Sequence, residues 1–269
     1  MRLRDAMLLK RIATASILIP LAAGAVYYLP HRAFVLFLVL VAFLCSMEFS
    51  SMFFVKGPIS LIAFPLTVAG SVFFGCANNG ENLAMPVLAG LIIFSFLSLF
   101  TTDEPGKRLR FLSVSMFGFM YIYFFIPFFS LLRELPRGYH LIFFIAVTVY
   151  IGDTAAYFVG TRFGKVKLAP SVSPGKTVEG AVASTLFGTL AGFLYLRFFY
   201  RLDTLLPHIL LPLIVSTVGQ IGDLIESLLK RAAGVKDSGN ILPGHGGVLD
   251  RIDSMLLNGF VLFFFLKGV

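Results

Sequence analysis

Long apolar segments alternate with short polar loops along the whole chain. Nine of them have the length of a bilayer-spanning α-helix, which needs about 20 mostly apolar residues. They are residues 12–30, 33–55, 59–77, 83–100, 111–132, 139–160, 177–200, 204–229 and 250–269. The last segment is the weakest, because it begins with Asp250, Arg251 and Asp253. The pattern predicts an all-α fold, a polytopic transmembrane helical bundle of about nine spans.

The composition also excludes an ordinary soluble protein. Of the 269 residues, 58% are hydrophobic and 13% are charged, whereas about a quarter are charged in a soluble domain. No polar stretch is long enough to fold as a separate domain. Cys45 and Cys76 lie in apolar segments at no metal-binding spacing, so we expect both to pack in the interior.

The net charge of +8 is explained by membrane topology before nucleic-acid binding. With nine spans, 16 basic residues fall on one side of the membrane: Arg2, Arg4, Lys10, Arg11, Lys56, Lys107, Arg108, Arg110, Arg162, Lys165, Lys167, Lys176, Lys230, Arg231, Lys236 and Arg251. The other side has 6: Arg32, Arg133, Arg137, Arg197, Arg201 and Lys267. Because basic loops are retained in the cytoplasm, the split predicts a cytoplasmic N-terminus and an external C-terminus. A cleaved signal peptide within residues 1–25 is disfavoured, because the apolar run continues to Leu29.

The polar residues are unevenly distributed between the two halves of the chain. The spans of residues 1–135 contain few of them, which favours a scaffolding or lipid-facing role. Nearly all lie in residues 136–269, which we interpret as a catalytic region with cytoplasmic loops at 161–176 and 230–249.

The end of segment 204–229 has a polar stripe. Residues three and four apart share a helix face, and this face holds Gly219, Gln220, Asp223, Glu226, Ser227 and Lys230. Ionisable groups at this depth usually face a bundle interior or a wet cavity and are functional. Asp223 is therefore a candidate functional residue; the alternative is helix–helix adhesion or an ion pair with Lys230.

Two further positions add carboxylates. Asp250 and Asp253 are one helical turn apart, and such a pair suits Mg²⁺, which takes one or two carboxylates with water and phosphate. Capping of a helix N-terminus is the alternative. We predict Asp223 with Asp250 as the metal pair, with Asp253 and Glu226 as further candidates. Asp153 is a third acid within a span, and it can bind the metal, orient a partner or hold a substrate hydroxyl.

Two loops have the composition of phosphate-binding sites. Ser173, Lys176 and Thr177 precede a predicted helix, whose first N–H groups favour anions. Gly175-Lys176-Thr177 resembles the end of a P-loop, but Pro170 stands where that motif needs glycine. A basic loop with a helix cap is the alternative. The second loop contains Gly244-His245-Gly246-Gly247, in which His245 can contact phosphate, position a carboxylate or shape the turn.

The stretch from Ser227 to Asp253 resembles the signature of the phosphatidate cytidylyltransferase (CDP-diacylglycerol synthase) family, and Gly152-Asp153 with Ser173–Thr177 is similar to that family's second region. Residues 1–135 match only as apolar spans. The resemblance implies an integral protein of the bacterial cytoplasmic membrane, with its active site facing the cytoplasm. It would join CTP to phosphatidic acid and release pyrophosphate. Mg²⁺ is the implied cofactor, with a monovalent cation such as K⁺ as an assistant; no nucleic acid is expected, and a homodimer is left open.

The resulting hypothesis divides the candidate residues into a catalytic and a phosphate-binding group, and the individual roles of Asp153, Glu226 and Asp253 stay open. The catalytic candidates are Asp153, Asp223, Lys230, Arg231 and Asp250. The phosphate-binding candidates are Ser173, Lys176, Thr177, Lys236, Asp237, His245, Gly246, Gly247 and Arg251. A secondary transporter with intramembrane carboxylates is one alternative, although the paired halves typical of that class are not seen. Another CTP-using membrane lipid phosphotransferase or kinase is the second.

Overall fold

The computed structural model describes residues 2–54, 58–78, 82–100, 104–200, 202 and 204–267. Within these residues the α-helices are α1 (Arg2–Tyr28), α2 (His31–Phe53), α3 (Pro58–Ala77), α4 (Ala84–Ser98), α5 (Pro105–Tyr123), α6 (Pro127–Glu134), α7 (Tyr139–Phe163), α8 (Val178–Tyr195), α9 (Leu205–Ala232) and α10 (Leu249–Lys267). A π-helical segment, Leu196–Tyr200, extends α8. Lys56 and Arg201, both used in the topology prediction, lie outside the described residues.

The all-α, membrane-like character is confirmed, because each predicted apolar segment lies mostly within helix. Five helical stretches of the described chain are long and apolar enough to cross a membrane: His31–Phe53, Pro105–Glu134, Tyr139–Phe163, Val178–Tyr200 and Leu205–Ala232. Ile12–Tyr28, Leu61–Ala77 and Ala84–Ser98 are apolar but shorter. The number of spans and their orientation stay predictions.

Two local features differ from the sequence expectation. Segment 111–132 is divided between α5 and α6, and α6 begins at Pro127, which is tolerated at a helix start because it has no N–H to donate. The loop 161–176 contains a hairpin of β1 (Lys167–Ala169) and β2 (Ser173–Thr177), which pair antiparallel with Lys167 opposite Thr177. Strand β2 runs directly into α8, so the hairpin fixes Lys176 next to a helix start.

The chain divides into two compact units. The first contains Met1–Leu131 and Asp237–Asp250, and the second contains Leu132–Lys236 and Arg251–Val269. Loop 230–249 was predicted from the sequence to belong to the catalytic C-terminal region, whereas most of it belongs to the first unit. Helix α10 begins in the first unit at Leu249 and continues in the second.

Aromatic rings form the core of the first unit. Phe49 of α2 stacks on Phe64 of α3 with centroids 5.4 Å apart, and Phe64 packs on Phe94 of α4 at the same separation. Phe94 in turn meets Phe119 of α5 edge-on at 5.6 Å. These ring contacts link four helices. Aromatic pairs of this kind stabilise packing beyond the contribution of their buried area. Cys45 and Cys76 are both buried, as expected for packing residues.

Close helix approaches organise the second unit. A Cβ at Gly222 of α9 would lie 2.5 Å from the carbonyl oxygen of Asp253 in α10, a distance that side chains do not tolerate. Nearby, the Oγ of Ser216 donates to the carbonyl of Ser184 in α8 at 3.1 Å. Small residues thus let these helices approach closely, as is common in membrane proteins.

Candidate active site

An ion pair between the hairpin and α9 marks the candidate site of the second unit. The Nζ of Lys176 lies 2.5 Å from Oδ2 of Asp223, and both side chains are about one quarter exposed, at 27% and 26%. Strand β2 delivers the lysine, and the polar stripe of α9 delivers the carboxylate. The sequence indicated both residues as candidates but not their pairing, and it offered Lys230 as the partner of Asp223.

Lys230 instead pairs with Glu226, one helical turn away on α9. Glu226 is fully buried and the side chain of Lys230 is 13% exposed. Ser227 lies beside this pair, with its Oγ 3.4 Å from Oδ1 of Asp223. A buried carboxylate needs such a counter-charge, because removing one partner would leave an isolated ion in an apolar environment.

Asp153 and Asp253 bring two more acids to the same region. Asp153 of α7 interacts electrostatically with Asp223 and Lys176. Asp253 of α10 interacts with Asp223, Asp153 and Lys230, and its Oδ1 accepts a hydrogen bond of 2.7 Å from the amide of Ser254. The second unit therefore brings together Asp153, Lys176, Asp223, Glu226, Lys230 and Asp253, which we call the charge cluster.

Other predicted residues of the second unit lie around the hairpin or on the surface. The Nε of Arg231 donates to the carbonyl of Val172 at 3.3 Å, which joins the hairpin turn to the end of α9. Thr177 is the N-cap of α8, and its Oγ1 accepts from the amide of Gly180 at 3.1 Å. This is the capping role considered as an alternative. Ser173 opens β2 and is partly exposed, whereas Lys236 and Arg251 are exposed.

Asp250 lies in the first unit, where a dense set of hydrogen bonds orients it. Its Oδ2 accepts from the amide of Ser238 at 3.0 Å, from the Oγ of Ser238 at 3.0 Å and from the amide of Gly247 at 2.8 Å. The amide of Gly247, a predicted phosphate ligand, is thus directed to a carboxylate in this structure. The metal pair of Asp223 with Asp250 stays a prediction, because each acid belongs to a different unit.

Residues 237–249, which we call the signature loop, contain a tight turn. The amide of His245 donates to the carbonyl of Leu242 at 2.9 Å, and Gly244 and Gly246 on either side of it have φ angles of 75° and 81°. Such positive φ angles favour glycine. The backbone of His245 therefore helps to shape the turn, one of the roles considered from the sequence. Asp237 is exposed at the start of the segment.

Glu48 was not predicted as a functional residue from the sequence. This residue of α2 is 3% exposed, and its carboxylate accepts hydrogen bonds from the signature loop. The available signal was an acid within an otherwise apolar span, 31–53, since intramembrane acids are costly and usually functional. Because the spans of residues 1–135 contain few polar residues, only a scaffolding or lipid-facing role was expected for this half.

Comparison with known proteins assigns the family. Residues 9–269 match the Cytidylyltransferase family. The chain belongs to the cytidylyltransferase family. Three similar proteins are named phosphatidate cytidylyltransferase. That of Pseudomonas aeruginosa is 37% identical over 262 residues, 93% of each chain. That of Staphylococcus epidermidis strain RP62A is 34% identical over 233 residues, 83% of this chain and 84% of the relative. For Staphylococcus saprophyticus the identity is 40% over 169 residues, and the match spans 63% of this chain and 65% of the relative.

For a cytidylyltransferase, the charge cluster has the donor chemistry of a divalent-cation site. Four carboxylates face two ammonium groups, an excess of two negative charges when all are ionised. Among the described residues, no three acidic, His or Cys side chains form a preformed metal cage. Mg²⁺ commonly binds through one or two carboxylates together with water and substrate phosphate. The carboxylates of Asp153 and Asp223 are donors of the kind that such an ion binds.

Proposed function

We propose that this protein is a phosphatidate cytidylyltransferase, which transfers CMP from CTP to phosphatidic acid and releases CDP-diacylglycerol and pyrophosphate in phospholipid biosynthesis. The match to the family across residues 9–269 carries this proposal. The names of the relatives from Pseudomonas and Staphylococcus support the choice of lipid substrate.

The reaction exchanges one P–O bond for another. A phosphate oxygen of phosphatidic acid forms a bond to the α-phosphorus of CTP, and the bond from that phosphorus to the bridging oxygen breaks, so that pyrophosphate leaves with the electron pair. The nucleophile is already an anion, so the reaction needs no strong general base. Repulsion between two anions and charge on the leaving group form most of the barrier, which cations and positioning lower.

Lys176 is the residue that we expect to bind the triphosphate first. Its ammonium group is partly exposed at the start of α8, where the helix dipole also favours an anion. Moving from Asp223 to a phosphate would release that carboxylate. Asp223 would then hold Mg²⁺, with Asp250 as the second carboxylate of the pair predicted from the sequence and Asp153 as a further candidate. The ion would supply neutralising charge to the phosphates. Arg231 and Lys230 offer further positive charge from the end of α9.

The membrane setting follows from the lipid substrate. The acyl chains of phosphatidic acid stay in the bilayer, so the site needs access from lipid as well as from the cytoplasm. The five long apolar helices support an integral membrane protein. We further propose nine spans, a cytoplasmic N-terminus and an active site that faces the cytoplasm of a bacterial inner membrane, on the distribution of basic residues.

The decisive experiment follows the label from CTP into lipid. Purified protein in vesicles that contain phosphatidic acid should transfer radioactivity from α-³²P-labelled CTP into CDP-diacylglycerol, and none from γ-labelled CTP. Asp223→Asn and Asp250→Asn should each reduce the rate at least about 100-fold, the scale for loss of an electrostatic catalytic group.

Folding controls accompany these variants, whose membrane insertion and size-exclusion profile should stay normal. Label from the γ-position in lipid would instead identify a lipid kinase. Near-normal turnover in Asp223→Asn would refute its metal-binding role, and the same result in Asp250→Asn would remove that residue from the site.

A further inference from the structure

A buried acid on α2 holds the signature loop in the first unit. The Oε1 of Glu48 accepts a hydrogen bond of 2.8 Å from the amide of Val248. Its Oε2 accepts from the amide of Leu249 at 2.9 Å and lies 3.1 Å from the Oγ of Ser238. Leu249 is the first residue of α10, so Glu48 binds amides at the start of that helix although it is about 200 residues away in sequence.

The hydroxyl of Ser238 connects Glu48 to Asp250. It lies 3.1 Å from Oε2 of Glu48 and 3.0 Å from Oδ2 of Asp250. A hydroxyl has one proton, so it donates to one of these oxygens at a time. The two acids also interact electrostatically. The direction of the Asp250 carboxylate is therefore coupled to Glu48 through a shared donor.

This arrangement explains why glycine occupies three positions of the signature loop. A Cβ at Gly239 would lie 2.7 Å from Oε1 of Glu48. A Cβ at Gly247 would collide with the Glu48 carboxylate and with the Ser238 hydroxyl, and one at Gly246 would lie 2.7 Å from Oδ2 of Asp250. The loop backbone thus approaches the two acids as closely as glycine permits. These glycines shape the loop around carboxylates within the protein.

We propose that Glu48 is a positioning residue for the transfer reaction, which acts through Ser238 and the start of α10 to set the direction of the Asp250 carboxylate. The inference rests on the proposed function, because it gives Asp250 a role in the reaction. An acid that only stabilised packing would not need to bind three donors of one loop. Loss of an acid with only a packing role would lower the amount of folded protein without changing the kinetics of each folded molecule.

The test compares Glu48→Gln, Glu48→Asp and Glu48→Ala with Ser46→Ala. Ser46 is also fully buried on α2, but its Oγ donates to the carbonyl of Phe43 in the same helix. Without Mg²⁺ or CTP, hydrogen exchange of the amides in residues 238–249 should accelerate in Glu48→Ala and remain at the wild-type rate in Ser46→Ala. Per folded molecule, kcat should fall at least about tenfold in Glu48→Ala, and the Mg²⁺ concentration for half-maximal rate should rise. The KM for phosphatidic acid should not change.

A second comparison protects the test against simple misfolding. Gly239→Ala alone should impair the enzyme, because its methyl group meets Glu48, and the shorter acid of Glu48→Asp should make room for it. The double variant should therefore lose less than the product of the two single losses. Unchanged exchange and unchanged kcat in Glu48→Gln and Glu48→Ala would overturn the inference, as would lower yield with normal kinetics. If the wild-type protein made no CDP-diacylglycerol, the proposed function would fail, and the exchange data would still report on the contact itself.

Discussion

Glu48 and Asp250 of the first unit have a different kind of partner from Asp223 and Glu226 of the second unit. In the first unit, Glu48 and Asp250 accept hydrogen bonds from backbone amides and one hydroxyl, all of them neutral donors. In the second unit, Asp223 and Glu226 each pair with the ammonium group of a lysine. The lysine pair of Asp223 is partly exposed, whereas Glu48 is almost completely buried.

This difference separates fixed acids from exchangeable ones. A backbone amide cannot leave its carboxylate unless the loop unfolds, so the acids of the first unit are preorganised. An ammonium group on a flexible side chain can move to a phosphate and release its carboxylate for another cation. The contrast predicts that the first unit supplies geometry and that the second unit responds to the substrate.

Among the variants that test this difference, removal of the Lys176 ammonium group should have the largest effect on turnover. In Lys176→Met, Asp223 loses its cation and a bound triphosphate loses a charged donor. We expect turnover to fall by roughly 100-fold or more, the scale seen when one donor to a reacting oxyanion is removed. Without CTP, Mn²⁺ should bind more tightly than to the wild type, because the lysine no longer competes for the carboxylate. Electron paramagnetic resonance of free Mn²⁺ measures this binding.

Lys167 provides the matched control. It is an exposed lysine on strand β1 of the same hairpin, so Lys167→Met removes the same charge from the same loop. We expect nearly wild-type turnover and Mn²⁺ affinity. If Lys176→Met bound Mn²⁺ no better than Lys167→Met, the lysine and the cation would not compete, and the acids of the second unit would not be exchangeable in this way.

Variants of the buried pair of Glu226 and Lys230 should have an effect of intermediate size, on the stability of the protein. Glu226→Leu removes the carboxylate that pairs with Lys230, and breaking a buried pair costs about 3–5 kcal/mol. The double variant Glu226→Leu, Lys230→Met removes both charges and should recover most of the lost stability. Thermal denaturation in detergent, followed by size-exclusion chromatography, compares the three proteins.

Turnover of the double variant then separates two roles of Lys230. A stable but inactive double variant would show that Lys230 acts on the phosphates as well as on Glu226. A stable and active one would limit Lys230 to neutralising a buried acid. If the double variant were no more stable than Glu226→Leu, the cost would arise from lost packing instead of an isolated charge.

The sequence predicted the helical fold and named every member of the charge cluster, because both depend on local signals. Apolar runs identify helices, and charged residues within them are conspicuous, so Asp153, Asp223 and Glu226 were found directly. The partners were harder to predict, since Lys176 reaches Asp223 through a hairpin whose pairing is not local. Glu48 was missed because its donors lie about 200 residues away, and only the folded chain brings them to α2.

Two serines provide the finest comparison of fixed and exchangeable acids. Ser238 and Ser227 are both buried, at 2% and 8% exposure, and each places its hydroxyl near a carboxylate. Ser238 lies 3.0 Å from Asp250 and 3.1 Å from Glu48, whereas Ser227 lies 3.4 Å from Asp223. The longer contact is weaker, and Asp223 also has its lysine. We therefore expect Ser227→Ala to be nearly neutral and Ser238→Ala to cost about 1.5–3 kcal/mol of stability, the usual range for a hydrogen bond to a charged group.

The effect of Ser238→Ala should remain smaller than that of Glu48→Ala. Each acid of the first unit keeps its backbone donors in the serine variant, namely Val248 and Leu249 for Glu48, and Ser238 and Gly247 for Asp250. The same denaturation assay ranks the variants, and hydrogen exchange in residues 238–249 shows whether the loop loosens. Equal losses of stability in Ser227→Ala and Ser238→Ala would mean that the shared hydroxyl stabilises the protein no more than the hydroxyl of Ser227 does. The fixed geometry of the first unit would then depend on its backbone amides alone.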